Sequence, residues 1–139
     1  MAVKLLAAKP GPALTVLDSS CWIEYFRDTP RAELFAPVAE ASDNLIVPII
    51  TIYEVTKKMR RELDETIAAF CESVMCRGRV IDIDLTVVRQ AAALSLPLAD
   101  SLIYATAQAH KATLWTQDAH FEGLPGVRYF AKTSLAQNS

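Results

Sequence analysis

Five short apolar segments that alternate with helical stretches constrain the fold of this chain most strongly. The apolar segments span residues 13–17, 45–48, 80–83, 113–115 and 127–130. Helical patterns occupy residues 21–27, 30–41, 51–61, 63–75, 86–94 and 99–111. Strands that alternate with helices pair in parallel through right-handed crossovers, and the helices then cover both faces of the sheet. We therefore predict an α/β fold, a three-layer α/β/α sandwich with a central parallel sheet of four or five strands.

The length of 139 residues is typical of one domain with one hydrophobic core. We predict an N-terminal extension over residues 1–13, which ends near the breaker Pro10-Gly11-Pro12, and a single domain over residues 14–139. The content of hydrophobic residues, 52%, excludes a disordered tail.

Charge, cysteines and hydropathy restrict the location and the partners of the protein. Three cysteines without a paired spacing indicate neither a disulfide framework nor a zinc site, so we expect a reducing compartment. The apolar run near the N-terminus is too short for a secretory signal, and a cytoplasmic protein without a membrane partner is expected. The net charge of −2 argues against a general basic surface for nucleic acid, so any binding of nucleic acid would need a local positive patch.

Four acidic residues lie where a parallel sheet presents its ligand site, at the carboxyl ends of the strands. Asp18 follows the first strand, Glu54 lies in the first turn of the helix after the second, and Asp118 comes three residues after Trp115 of the fourth. Asp100 opens the helix that leads into that fourth strand. The topology predicts that all four face one crevice.

Each of these acids also has a purely structural explanation. Thr51 and Glu54 match a capping box, and the helix dipole alone favours Asp100 in a first turn. Asp118 could cap the short turn that follows it, and Asp18 could form a local turn with the two serines after it. The residue patterns leave both readings open for each acid.

Clustered carboxylates raise one another's pKa, so four of them in one crevice are unfavourable unless they are protonated or bridged by a cation. Oxygen donors without a paired histidine or thiol favour Mg²⁺, for which Mn²⁺ can substitute, over zinc. The joint placement of the acids therefore predicts a magnesium site.

Four segments resemble the successive motifs of PIN-domain nucleases, and most closely those of VapC-type toxins of type II toxin–antitoxin systems. The segments are residues 16–24 (VLDSSCWIE), 50–55 (ITIYEV), 98–107 (LADSLIYATA) and 114–121 (LWTQDAHF). They occur in the family's order, at fitting separations, and the resemblance extends from Leu14 to about Phe130. Any one motif is weak, whereas four in order are specific.

The resemblance implies metal-dependent hydrolysis of RNA phosphodiester bonds, leaving a 5′-phosphate and a 3′-hydroxyl. It implies that Asp18, Glu54, Asp100 and Asp118 are the metal-binding and catalytic carboxylates. It further implies that Thr116, which matches the hydroxyl residue of the family beside the last acid, belongs to the catalytic residues. The family's pattern also implies a homodimer and inhibition by a small antitoxin protein.

Basic residues near the end of the predicted helix 51–61 form the local positive patch that RNA binding would need. We expect Lys57, Lys58 and Arg61 to contact RNA, together with Ser19, which matches a polar residue near the first acid of the family. The alternative is a solvated helix end in which Glu54 and Lys58, four residues apart, form an ion pair.

Other polar and aromatic residues are given structural roles. Asp82 and Asp84 are expected to face solvent or to cap a helix, and neither His110 nor His120 has a second imidazole at ligand spacing. The aromatic residues next to the motifs are expected in the core, and Cys21 is expected to be a small buried hydrophobe. The expected core aromatics are Trp22, Tyr53 and Phe121.

Three other functions are compatible with an α/β sandwich of this kind. A haloacid-dehalogenase-like phosphoryl-transfer enzyme would want an acid two residues after Asp18, where the chain has Ser20. A non-enzymatic module that senses metal or phosphate would usually show an acidic pair before its first strand ends, and residues 12 and 13 are proline and alanine. A PIN-type RNA-processing nuclease without an antitoxin remains open.

Overall fold

A computed structural model describes residues 13–132 of the chain. Every predicted strand and helix is present, and the ends shift by at most about two residues. The strands are β1 (Thr15–Leu17), β2 (Ile46–Pro48), β3 (Arg79–Ile81), β4 (Thr113–Thr116) and β5 (Val127–Tyr129). The helices are α1 (Ser19–Phe26), α2 (Ala32–Ala39), α3 (Ile49–Glu62), α4 (Glu65–Met75), α5 (Leu85–Ala92) and α6 (Leu98–Ala109). The predicted extension, apart from residue 13, and the last seven residues lie outside the described residues.

All strand pairs are parallel, as predicted. β4 lies between β1 and β5, and β2 pairs with β3. An isolated parallel bridge between Thr15 and Leu45 joins the two groups, so the strand order is β3-β2-β1-β4-β5. The chain leaves β1 towards β2 and later returns to its other side as β4, which makes the end of β1 the switch point where such sheets bind ligands.

Side chains that alternate along the strands supply both sides of the core. Leu17 and Val47 pack with the buried residues of α1 to α4, including Trp22 and Phe35. Their neighbours Val16 and Ile46 belong to a second cluster, formed mainly with α6. Helices therefore cover both faces of the sheet, and the predicted three-layer architecture is confirmed. Within residues 13–132, no helix combines the length and the apolar character that crossing a membrane requires.

The start of α3 differs from the prediction. Pro48 ends β2 and directly precedes the helix, which begins at Ile49 rather than at Thr51. The Thr51 hydroxyl donates a hydrogen bond to the Pro48 carbonyl over 2.6 Å. The capping-box explanation of Glu54 is therefore wrong, and Glu54 lies in the second turn of the helix instead of the first.

Candidate active site

Asp18 lies at the end of β1 and is the N-cap of α1. Its Oδ1 accepts a hydrogen bond from the Ser19 amide over 2.8 Å, and its Oδ2 accepts one from the Thr116 hydroxyl over 2.7 Å. The Asp18 amide continues the sheet by donating to the Trp115 carbonyl over 3.0 Å. Of the expected interaction with the two serines, the bond to Ser19 is present, and the bond from Thr116 on β4 ties the same carboxylate to the neighbouring strand.

Thr116, at the end of β4, is fully buried and connects two of the acids. Its hydroxyl donates to Asp18 and accepts a hydrogen bond from the Asp118 amide over 2.9 Å. One hydroxyl therefore sets the position of the Asp18 carboxylate relative to the backbone that carries Asp118.

Asp100 and Asp118 meet at the imidazole of His120. The His120 Nδ1 lies 3.1 Å from Asp100 Oδ2 and 3.2 Å from Asp118 Oδ1. Asp118 also caps the short 3₁₀ turn Ala119–Phe121 by accepting a hydrogen bond from the His120 amide, as its structural explanation predicted. One potential ligand atom from each of these three residues lies within 4.8 Å of the other two. We did not expect His120 at this site; the spacing of two residues from Asp118 was the available signal.

Glu54 reaches the same site from α3. Its Oε1 is buried and has no hydrogen-bond partner among residues 13–132. A buried carboxylate oxygen without a partner is costly, and a bound ion or an ordered water is a usual way to satisfy it.

The four predicted acids line one pocket of about 360 Å³ at the carboxyl edge of the sheet. Ser19, Ser20, Gln117, Ala119 and Lys132 complete its lining. The tertiary structure thus brings together residues that are up to 100 positions apart in sequence.

The pKa of Asp18 is raised from 3.8 to about 6. Burial is the main cause, and the charges of Asp100 and Glu54 add to it. The hydrogen bonds from Thr116 and Ser19 act in the opposite direction but do not cancel the effect of burial. The ionised carboxylate is therefore unfavourable without a cation.

The other members of the site show related shifts. Burial raises the pKa of Glu54, an effect that the Ser19 hydroxyl opposes and the Asp100 charge reinforces. Burial also raises the pKa of Asp100, where the hydrogen bond from His120 lowers it and the charge of Asp118 raises it. The hydrogen bond to Asp100, followed by the charge of Asp118, raises the pKa of His120.

A divalent cation fits this donor set. Four carboxylates line the pocket and supply the hard oxygen ligands that Mg²⁺ and Mn²⁺ prefer. Three of them, Asp18, Glu54 and Asp100, have a raised pKa, and one oxygen of Glu54 has no partner among residues 13–132. His120 adds a nitrogen beside two of the acids.

A larger cavity of about 560 Å³ adjoins the acidic pocket and contains the expected RNA-contacting residues. These are Ser19, Lys57, Lys58 and Arg61. Lys58 lies 3.8 Å from Glu62, four residues later, rather than pairing with Glu54 as the alternative proposed. The Glu54 carboxylate is therefore not engaged by Lys58 and lines the acidic pocket.

Tyr53 lines this cavity with 55% of its surface exposed, so its prediction as a core residue was wrong. The Lys57 ammonium lies 5.2 Å from the centre of its ring and 3.0 Å from its hydroxyl. Trp22, Phe121 and Cys21 are buried as expected, and Asp84 caps α5 as expected.

A family model described as PIN domain matches residues 15–127. The chain belongs to the PIN domain family. The family predicted from the four motifs is confirmed by this match. Solved structures of VapBC toxin–antitoxin complexes share the fold. No curated protein sequence matches the chain significantly.

Three solved structures illustrate the similarity of this PIN domain to known proteins. A chain of a toxin–antitoxin complex from Klebsiella pneumoniae is 25% identical, with a TM-score of 0.69 over 82% of this chain and 95% of that one. VapBC2 from Rickettsia felis, bound to a DNA fragment from its promoter, is 15% identical, with a TM-score of 0.66 over 85% and 99% of the two chains. The sarcin-ricin-loop-cleaving toxin VapC20 from Mycobacterium tuberculosis is 11% identical, with a TM-score of 0.61 over 88% and 94%.

Proposed function

We propose that this PIN domain is a metal-dependent endoribonuclease that acts as the toxin of a toxin–antitoxin pair in the cytoplasm. The observation that carries the proposal is the pocket in which four carboxylates converge while a buried oxygen of Glu54 has no partner. Such a cluster is unfavourable unless it is protonated or bridged by a cation, and Mg²⁺, with Mn²⁺ as a substitute, fits its donors.

Asp18, Glu54, Asp100 and Asp118 would hold the metal, directly or through water. When held there, the cation would lower the pKa of an attacking water and neutralise charge that develops on the phosphoryl oxygens. The hydrogen bonds of Thr116 fix Asp18 against the Asp118 backbone, so the carboxylates are oriented before the substrate arrives. Attack of water on phosphorus and cleavage of the bond to the 3′ oxygen would leave a 5′-phosphate and a 3′-hydroxyl.

RNA is the proposed substrate because the cavity beside the carboxylates is lined by cations. Lys57, Lys58 and Arg61 supply a local positive surface on a chain with a net charge of −2. Ser19 borders both pockets, and its hydroxyl would contact the strand between them. One of the similar structures is an RNA-cleaving toxin, which supports this substrate class.

A small antitoxin is the proposed protein partner, and a homodimer is the proposed oligomeric state. Several structures that share this fold are those of toxin–antitoxin complexes. A small open reading frame next to the gene would support this assignment, whereas its absence would favour a processing nuclease. Cells that express the PIN domain should resume growth when the neighbouring protein is co-expressed, and only if that protein binds the PIN domain.

The nuclease proposal is tested by incubating the purified full chain with structured RNA and Mg²⁺, Mn²⁺ or EDTA. We expect cleavage with either metal, none with EDTA, and at least about 100-fold slower cleavage by Asp100→Asn, since the variant removes a charge that metal and transition state both require. Asp84→Asn is the matched control, because Asp84 caps a helix outside the pocket. Equal cleavage by Asp100→Asn and the control, or activity that survives EDTA, would contradict the proposal.

A further inference from the structure

The acidic pocket and the basic cavity share a wall, and unpartnered polar atoms are concentrated there. Five residues line both spaces: Ser19, Ser20, Glu54, Gln117 and Lys132. Among residues 13–132, four buried side-chain polar atoms lack a hydrogen-bond partner. Three of the four are Ser20 Oγ, Glu54 Oε1 and Gln117 Nε2, which all belong to this wall. Metal binding accounts for Glu54 but leaves the other two unexplained.

The orientation of the Gln117 amide is set by Arg31, whose side chain comes from the segment before α2. The Arg31 Nε donates a hydrogen bond to Gln117 Oε1. A guanidinium only donates, so the amide must present its oxygen to Arg31 and turn its nitrogen away. The hydrogen bond from Arg31 therefore identifies the amide nitrogen as the unpaired atom, in agreement with the buried Nε2 that lacks a partner.

Arg31 is itself held firmly. It is 8% exposed, donates to the Phe130 carbonyl over 3.3 Å and lies 3.6 Å from a carboxylate oxygen of Glu24. A guanidinium fixed on three sides is a rigid support for the Gln117 side chain. Gln117 is 4% exposed, so both members of the pair are buried next to the site.

We propose that Gln117 is a substrate-binding residue whose amide nitrogen donates a hydrogen bond to a non-bridging phosphate oxygen of the RNA strand, with Arg31 as its positioning residue. The inference rests on the proposed ribonuclease function. Gln117 lies between the carboxylates and the cations, where the strand must cross from one pocket to the other. A neutral donor binds a phosphate oxygen there without disturbing the charge of the metal site. Because the nitrogen is covered in this conformation, contact requires a local side-chain shift in the wall.

The test compares Gln117→Met and Gln117→Glu with Gln90→Met, a control on the exposed face of α5. Gln117→Glu should remain folded, because it keeps an acceptor for Arg31. It loses the NH₂ donor. Steady-state cleavage of a short RNA should show KM raised about tenfold or more in both variants, since one hydrogen bond to a charged group is lost in binding. The kcat of Gln117→Met should change by less than about threefold, whereas Gln117→Glu also adds a charge beside the carboxylates and should lower kcat as well. Calorimetric titration of Gln117→Met with Mn²⁺ should give the wild-type affinity.

A double-mutant cycle tests the role of Arg31. Arg31→Lys keeps the charge but loses the planar guanidinium with its fixed donor directions, and it should raise KM in the wild-type background. In the Gln117→Met background it should add little, because the donor it positions is already absent. A purely structural role would instead lower the melting temperature in both backgrounds without changing KM.

Several results would overturn the inference. A wild-type protein without metal-dependent cleavage refutes the proposed function and this role with it. Cleavage by Gln117→Met with the same KM as Gln90→Met refutes the role of Gln117 alone. A loss confined to RNAs with one particular base would show that Gln117 reads a base, whereas a loss across all sequences supports the phosphate contact.

Discussion

Replacing Asp18 with asparagine should stabilise the metal-free protein at neutral and alkaline pH. The pKa of Asp18 in the folded protein is about 6 instead of 3.8, chiefly because of burial. The folded state therefore binds its proton more tightly than the unfolded state does. Stability then decreases as the pH rises from about 3.8 to 6, and the full cost applies above that range.

The size of the effect follows from this difference. A tenfold change in acidity corresponds to about 1.4 kcal/mol, so ionised Asp18 costs the folded protein about 3 kcal/mol at pH 8. Asparagine keeps an oxygen for the Ser19 amide but turns an NH₂ group towards the Thr116 hydroxyl, a rearrangement worth about 1 kcal/mol. We therefore expect Asp18→Asn to gain about 2 kcal/mol at pH 8 and to gain nothing at pH 4.

Urea denaturation followed by circular dichroism, in EDTA and at one protein concentration, measures this difference. Asp84→Asn is the matched control, because it makes the same change at an exposed helix cap. With Mg²⁺ at about 100 times its dissociation constant, the wild type should gain about 2.7 kcal/mol and the variant much less. A variant that is less stable than the wild type at pH 8 in EDTA would show that the buried charge does not limit stability.

Three further perturbations test other parts of the site and the core. Thr116→Val should destabilise the protein by about 1–3 kcal/mol in urea denaturation and weaken Mn²⁺ binding, because it leaves two hydrogen-bond partners unpaired. Thr106→Val, whose hydroxyl bonds only within α6, is the control, and equal Mn²⁺ affinities would argue against the bridging role. Arg61→Gln should raise KM for RNA and reduce the salt dependence of RNA binding. Arg60→Gln, which breaks the ion pair with Glu65, is the control and should change neither. Identical effects of the two variants would contradict an RNA contact of Arg61. Phe35→Ala should cost about 3–5 kcal/mol in urea denaturation, because Phe35 is fully buried, and a cost below about 1 kcal/mol would contradict its place in the core.

Local patterns were sufficient to predict the order of the strands and helices. Short apolar runs and helical periodicity depend on neighbouring residues, so β1 and α6 could be located without knowledge of the fold. The convergence of Asp18, Asp100 and Asp118 was also predictable, because parallel topology brings the carboxyl ends of the strands to one edge.

The tertiary structure decided which side chains meet and which remain unpaired. His120 meets Asp100, and Arg31 supports Gln117, across separate segments of the chain. The exposure of Tyr53 depends on what packs above that residue. Glu54 illustrates the difference, since its sequence matched a capping box while the helix begins two residues earlier. By itself, the sequence determined that four acids lie at the edge of one sheet. Only packing could leave a Glu54 oxygen without a partner, because burial and hydrogen bonding depend on the whole fold and not on neighbours in the chain.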